Sequence, residues 1–206
     1  MELLHIIKNR CRDTANSRFE ASRRMKRCYN ASTLCIAMLS FEIIVLNLLV
    51  FIPALRLDSV SITVTTVCLS VFVLVLSLIL SQLQYDKKAS KFHKCANALK
   101  NLENSIDIRI SSGESPSIEE IKEFNKDYAD IIKTSNLNHS SVDYDWAKIK
   151  EAKKRGDLPF NAYQWRKWNW TYIKWHFLLS DSIYNLLTIL GACAIVVIAI
   201  CCKEPG

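Results

Sequence analysis

Two kinds of pattern alternate along the chain: unbroken apolar runs and amphipathic stretches with helical spacing. Thr33 to Leu55 and Val60 to Leu83 are apolar runs joined by the short polar link Arg56-Leu57-Asp58-Ser59. At a rise of about 1.5 Å per residue each makes a helix of about 35 Å, enough to cross a hydrocarbon core of about 30 Å. The pattern predicts a two-helix transmembrane hairpin. A third run, Phe177 to Cys202, is interrupted by Asp181 and Asn185 and ends in the apolar string Ile195 to Ile200. It reads as a third, C-terminal transmembrane helix.

The rest of the chain has the period of surface helices. The segment before Thr33 carries Phe19, an Arg/Lys cluster and Tyr29, with Asp13 or Thr14 as its expected N-cap, and runs into the first span. The second span is expected to continue as one helix beyond the membrane. There Tyr85, Ala89, Phe92, Ala96, Leu99 and Ile106 recur on one face, while Lys87, Lys88, Lys91 and Lys94 lie off it. Such a stripe packs on a partner in a bundle or coiled coil, which makes it the candidate oligomer and coupling face. Ser111 to Pro116 is a loop. Ser117-Ile118-Glu119-Glu120 is a capping box opening a further helix, with Ile118, Ile121, Phe124, Tyr128, Ile131 and Ile132 on its apolar face.

Gly156-Asp157-Leu158-Pro159 marks another break, and an aromatic cluster follows it. Trp165, Trp168, Tyr172 and Trp175 share one helical face beside Arg166, Lys167 and Lys174. Trp and Tyr favour the headgroup boundary, so these four are candidate membrane-interface anchors; the alternative is aromatic packing against the bundle. No strand alternation or internal repeat is seen. The fold class expected is an all-α membrane protein, divided into a basic N-terminal helix (1–32), a transmembrane hairpin (33–83), a cytoplasmic helical region (84–158), an aromatic interfacial segment (159–176) and a third span (177–202).

Charge orients this arrangement. The net charge is +7, with 27 Lys and Arg against 20 Asp and Glu. Basic residues crowd the segment before the first span and flank the middle segment, whereas the hairpin link holds one Arg and one Asp. Lys and Arg accumulate in cytoplasmic loops, so the N-terminus and the middle region are both placed in the cytoplasm. The positive charge reads as a topology and anionic-headgroup signal; no recognition module accompanies it, and direct nucleic-acid binding is not expected. Met1 to Asn30 is too polar for a cleavable signal peptide. The eight cysteines form no C-x-x-C pair and read as free thiols of a reducing compartment.

Polar residues inside the spans are the candidate functional groups. Thr63, Thr66, Ser70, Ser77 and Ser81 fall on one stripe of the second span; the third span repeats the device with Asp181 and Asn185. Glu42 and Asn47 stand in the first. Small hydroxyl residues let helices approach closely, and helix packing is one reading of the stripe. A carboxylate at depth needs water, a partner helix or protonation, so a pore lined by several copies is the other.

Catalytic chemistry has little support. No phosphate-cradling glycine loop, G-x-S-x-G or H-E-x-x-H is present, and no cofactor or metal is expected. The best constellation is Asn138-His139-Ser140-Ser141-Val142-Asp143-Tyr144, where His139 and Asp143 would share a helical face. A hydrogen bond that stabilises the fold is the commoner use of such a pair, and the chain is read as a non-enzyme.

The order of these parts resembles the SLATT superfamily of SMODS- and SLOG-associating two-transmembrane effectors. The resemblance rests on Thr14, Arg18, Phe19, Glu20, Ala21 and Arg24 before the hairpin. After it come Tyr85, Ala89, His93 and Leu99, then Tyr128, Ile131 and Ile132, and last Asn138, His139, Ser140, Asp143 and Tyr144. The last element is similar to that of family 5, the branch with members encoded beside reverse transcriptases. The resemblance implies an effector in the prokaryotic inner membrane that serves antiviral defence. It would form a homo-oligomer and make a pore or disrupt the bilayer when a nucleotide-second-messenger sensor or a reverse transcriptase partner signals infection. A non-conducting anchor for a partner protein is the alternative.

Overall fold

The computed structural model describes residues 2–52, 58–138 and 140–155. The expected third span and aromatic segment lie outside these residues, and with them Trp165, Trp168, Tyr172, Trp175, Asp181 and Asn185; His139 does too. The described chain is all helical. Its five α-helices are α1 (Glu2–Leu49), α2 (Ser59–Leu83), α3 (Tyr85–Ser111), α4 (Ile118–Ser135) and α5 (Ser141–Arg155).

No glycine or proline interrupts residues 2 to 49, and α1 is one helix of 48 residues. Glu2 opens it, where a carboxylate suits the positive end of the helix dipole. Asp13 and Thr14 therefore lie inside α1 and cap nothing; Thr14 instead hydrogen-bonds the Tyr128 hydroxyl at 3.1 Å. At its far end α1 closes at Leu49, short of the expected Leu55, in a tightened turn with Ile52 N donating to Leu49 O at 3.2 Å. Pro53 comes next in sequence, and a proline disfavours helical backbone in the residue before it. The connection to α2 is correspondingly longer than the four-residue link read from the sequence. Asp58 ends it as N-cap of α2, accepting from Val60 N and Ser61 N at 3.1 Å each.

The expected single helix through Leu83 and Tyr85 is broken. Gln84 sits at φ 48 and ψ 42, the left-handed region, so α2 ends there and α3 starts afresh. An L-residue inside a right-handed helix cannot hold that backbone.

The described chain falls into two compact units: residues 2–26 with 86–155, and residues 27–52 with 58–85. The first unit is a bundle around the N-terminal half of α1. Leu4, Ile7 and Cys11 pack with Leu102 and Ile106, and Ile121, Phe124, Tyr128 and Ile131 of α4 close over them. Ala15 packs with Cys95 and Leu99 in a second cluster under Ile132. The apolar stripe of α3 is thus used within the chain: Ala89, Phe92, Ala96, Leu99 and Ile106 are buried, and only Tyr85 is half-exposed. As an oligomer and coupling face it is already occupied by α1 and α4. Burial, and then the field of buried Glu103, push the Cys11 thiol up to about 11, so it stays a protonated packing group.

The capping box at Ser117 forms as expected, with Glu120 N donating to Ser117 Oγ at 3.2 Å and Ser117 N to Glu120 Oε2 at 2.8 Å. Arg109 adds a two-pronged contact to the Glu120 carboxylate at 3.2 Å, tying the end of α3 to the start of α4. Asn136, at φ 44, ends α4.

The second unit has the opposite surface. Both helices are long and apolar enough to cross a membrane, and most of their apolar side chains are uncovered. Phe41 is 60% exposed, Leu48 60%, Val60 68% and Leu74 60%. A core helix of a water-soluble domain would bury that area, whereas lipid covers it at no cost to the backbone, whose hydrogen bonds are internal to each helix.

Two outcomes follow from these joints. Gln84→Gly relieves a left-handed strain of about 1 kcal/mol and should raise the apparent unfolding temperature in detergent, while Gln84→Val should lower it. Arg109 and the Ser117 backbone hold the Glu120 carboxyl below the usual glutamate range. A depressed folded-state pKa stabilises above the unfolded value, and the benefit is lost as pH falls through the folded one. The protection factors of the first-turn amides of α4, corrected for the intrinsic exchange rate at each pH, should therefore fall on acidification below the glutamate range, and less so in Arg109→Gln.

Candidate functional site

The two groups of residues singled out from sequence fall in different units. In the first unit, Ser140 and Asp143 build the start of α5. Asp143 is the third residue of that helix, and its Oδ2 accepts from Ser140 N at 3.1 Å and from Ser140 Oγ at 3.3 Å. The S-x-x-D spacing is what lets an N-terminal side chain reach back to the capping residue. The same carboxylate then takes a bidentate contact from α1: Arg24 Nε reaches Oδ1 at 2.8 Å and Arg24 Nη2 reaches Oδ2 at 2.9 Å. Asp143 is 0% exposed.

Both oxygens of Asp143 are engaged, Oδ1 by one donor and Oδ2 by three. Its role is a clasp that docks α5 on α1, and a part in acid–base or metal chemistry would require the clasp to open. Among the described residues no group of three His, Cys, Asp or Glu side chains is placed to hold a metal. Asn138 is exposed, and the Tyr144 ring lies under Lys148 Nζ at 4.5 Å.

The residues of α1 that carry the family likeness converge on this unit. Arg18, 1% exposed, donates from Nη1 to Ser135 Oγ at 2.6 Å, at the negative end of the α4 dipole. Buried Glu20 accepts from Lys150 Nζ at 2.9 and 3.0 Å and also pairs with Arg23. Ser22 Oγ donates to Ala89 O at 2.8 Å, and the Phe19 and His93 rings meet edge-to-face at 5.6 Å. Sequence names Arg18, Phe19, Glu20 and His93 but not Ser22, and gives none of these pairings. Arg24 and Asp143 are separated by 119 residues, and no local spacing pairs them.

In the second unit, Cys28, Ser32, Cys35, Leu39 and Leu46 form the buried seam of α1. Glu42 is three residues from Leu39 and four from Leu46, which puts it on the same seam, half-buried. Its Oε2 is buried and has no hydrogen-bond partner among the described residues. Asn47 is exposed; its Nδ2 donates to Ile43 O at 2.8 Å, and its Oδ1 lies 3.5 Å from Thr66 Oγ1 on α2.

Of the hydroxyl stripe only Thr66 is buried. Thr63, Ser70 and Ser77 donate to carbonyls four residues back in their own helix, at 2.8, 2.7 and 2.7 Å. Ser81 is exposed. The structure thus joins Asn47 to Thr66 across the hairpin. Thr63, Ser70 and Ser77 are satisfied locally, and Glu42 is left with an unanswered oxygen.

Residues 2–202 match the family described as the SMODS and SLOG-associating 2TM effector domain family 5. No curated protein and no solved structure is detectably similar to the chain.

Removing one member of a buried charge pair strands the other, at a cost of about 3–5 kcal/mol. Arg24→Met and Asp143→Leu should therefore each abolish most of the exchange protection of the α5 amides, and the double variant should lose less than the two singles add up to.

Proposed function

We propose that this chain, which belongs to the SMODS and SLOG-associating two-transmembrane effector family 5, is the membrane effector of a prokaryotic anti-phage or conflict system. It sits in the inner membrane with its N-terminus and its bundle on the cytoplasmic side, as the distribution of Lys and Arg favours. Several copies assemble, and on a trigger they open a pore or disrupt the bilayer, so that growth stops or the cell dies. A nucleotide-second-messenger sensor or a reverse transcriptase supplies the trigger.

The observation that carries this reading is Glu42. A carboxylate at membrane depth whose own span holds no cation is expensive. One of its oxygens is buried without a partner, whereas the neighbouring hydroxyls are satisfied within α2. Hairpins arranged around a common axis would hydrate that oxygen and set a ring of carboxylates along the path, mildly favouring cations. Asn47 and Thr66 meet across the hairpin of each copy at 3.5 Å, while the Thr66 hydroxyl also reaches Thr63 O at 3.0 Å.

A non-conducting anchor is the second reading. One observation favours it: hydroxyls bonded back to their own helix are what close helix packing uses.

Liposomes of anionic lipid holding the purified chain, with the triggering sensor or reverse transcriptase added, are expected to release a trapped dye. Glu42→Leu should slow that release by about tenfold or more. Release indifferent to Glu42 would point to bilayer disruption instead of a carboxylate-lined pore. An anchor predicts no release, and growth arrest in cells that survives both Glu42→Leu and replacement of the hydroxyl stripe by Ala.

A further inference from the structure

The bundle unit contains an open cleft of about 560 Å³ whose walls come from α1, α3 and α5. Its size is that of small-molecule sites. Its charge is lopsided: Arg12, Arg23, Lys100, Lys150, Lys154 and Arg155 line it against two carboxylates, Glu20 and Glu151. Each of those carboxylates is shared between two of the cations. Glu20 lies between Arg23 and Lys150, and Glu151 between Arg12, at 3.4 Å, and Arg155, at 2.9 Å. Lys100 is likewise paired with Glu103 at 2.7 Å. Three carboxylates thus hold the cationic heads along the walls and offset about half of the charge of the six cations. Arg12 Nε is the atom that faces Glu151, at 3.4 Å, an ion-pair contact without hydrogen-bond geometry. Phe19 and Ala147 supply an apolar patch of the lining.

We infer that this cleft is a binding site for a small phosphate-bearing anion carrying two or more negative charges. Three arginines offer the planar fork that matches phosphate oxygens, and three lysines add point charge from other directions. A concave wall of one sign focuses its field and gathers counter-charge more strongly than the same residues spread over a convex surface. A solvated charged face needs no such concavity. The inference stands on the bundle unit alone and holds whether or not the hairpin conducts. A free polyphosphate or nucleotide and a phospholipid headgroup present the same chemistry, and the test separates them.

The test is calorimetric titration of the full chain in uncharged detergent with sodium tripolyphosphate and with ATP. The variants are Lys154→Gln/Arg155→Gln, at the exposed end of α5, and Lys91→Gln/Lys94→Gln, an equal charge loss on exposed α3 positions outside the cleft. Saturable binding is expected, weakened by about tenfold or more in the α5 variant and little changed in the α3 variant. A parallel arm replaces the soluble anions with cardiolipin, whose headgroup carries two phosphates, in phosphatidylcholine bicelles. Binding confined to that arm, with the same dependence on Lys154 and Arg155, would identify the headgroup as the source. Absence of saturable binding in every arm, or equal weakening in both variants, would overturn the inference.

Discussion

A carboxylate with no access to water governs how this chain folds outside its apolar hairpin. Asp143 is wholly buried, and a lone charge in that position would be prohibitive. Its four contacts make burial tolerable, and they come from two directions: the Ser140 backbone and hydroxyl from α5, and the Arg24 fork from α1. Satisfying one group therefore fixes the start of α5 and its seat on α1 together. The pair adds little net stability over an apolar equivalent. It does specify one seat for α5, because displacing the helix would strand both charges.

α1 is the element that meets all the others of the bundle. Over its first turns it offers apolar groups to α3 and α4, and beyond them polar ones: Thr14 to Tyr128, Arg18 to the end of α4, Glu20 to Lys150, Arg24 to Asp143. Each of the later helices is docked on it by a different chemical device. That explains why the residues of the family likeness are spread thinly along α1 and again far downstream: they are two halves of the same contacts. The basic cleft is a by-product of this docking, since α1 and α5 both turn cationic side chains toward the space they share with α3.

The hairpin follows another rule. In hydrocarbon the apolar surface needs no protein cover, so its helices leave Phe41, Val60 and Leu74 open and bury few side chains. What demands explanation there is polar, and the hydroxyls answer for themselves through their own helix carbonyls while Glu42 does not. Among the hairpin's polar groups the half-buried Glu42 carboxylate on the seam of α1 is thus the costly one.

The sequence by itself determined many of the features that depend on neighbours along the chain. The two apolar runs, the Ser117–Glu120 capping box, the loop at 111–116 and the buried face of α3 were legible because period, caps and breakers act over a few residues. The spacing of Ser140 and Asp143 was legible too, though its meaning as half of a clasp was not. Only the tertiary structure decided the rest. It turned the α3 stripe inward against α1 and α4, because a bundle within one chain could bury it without a second copy. It broke the long helix at Gln84, a residue whose type gives no warning of a left-handed backbone. It also chose, among many arginines, the one that answers Asp143 from 119 residues away. Such pairings are settled by which charges the packed core leaves without water, and that is a property of the assembled bundle alone.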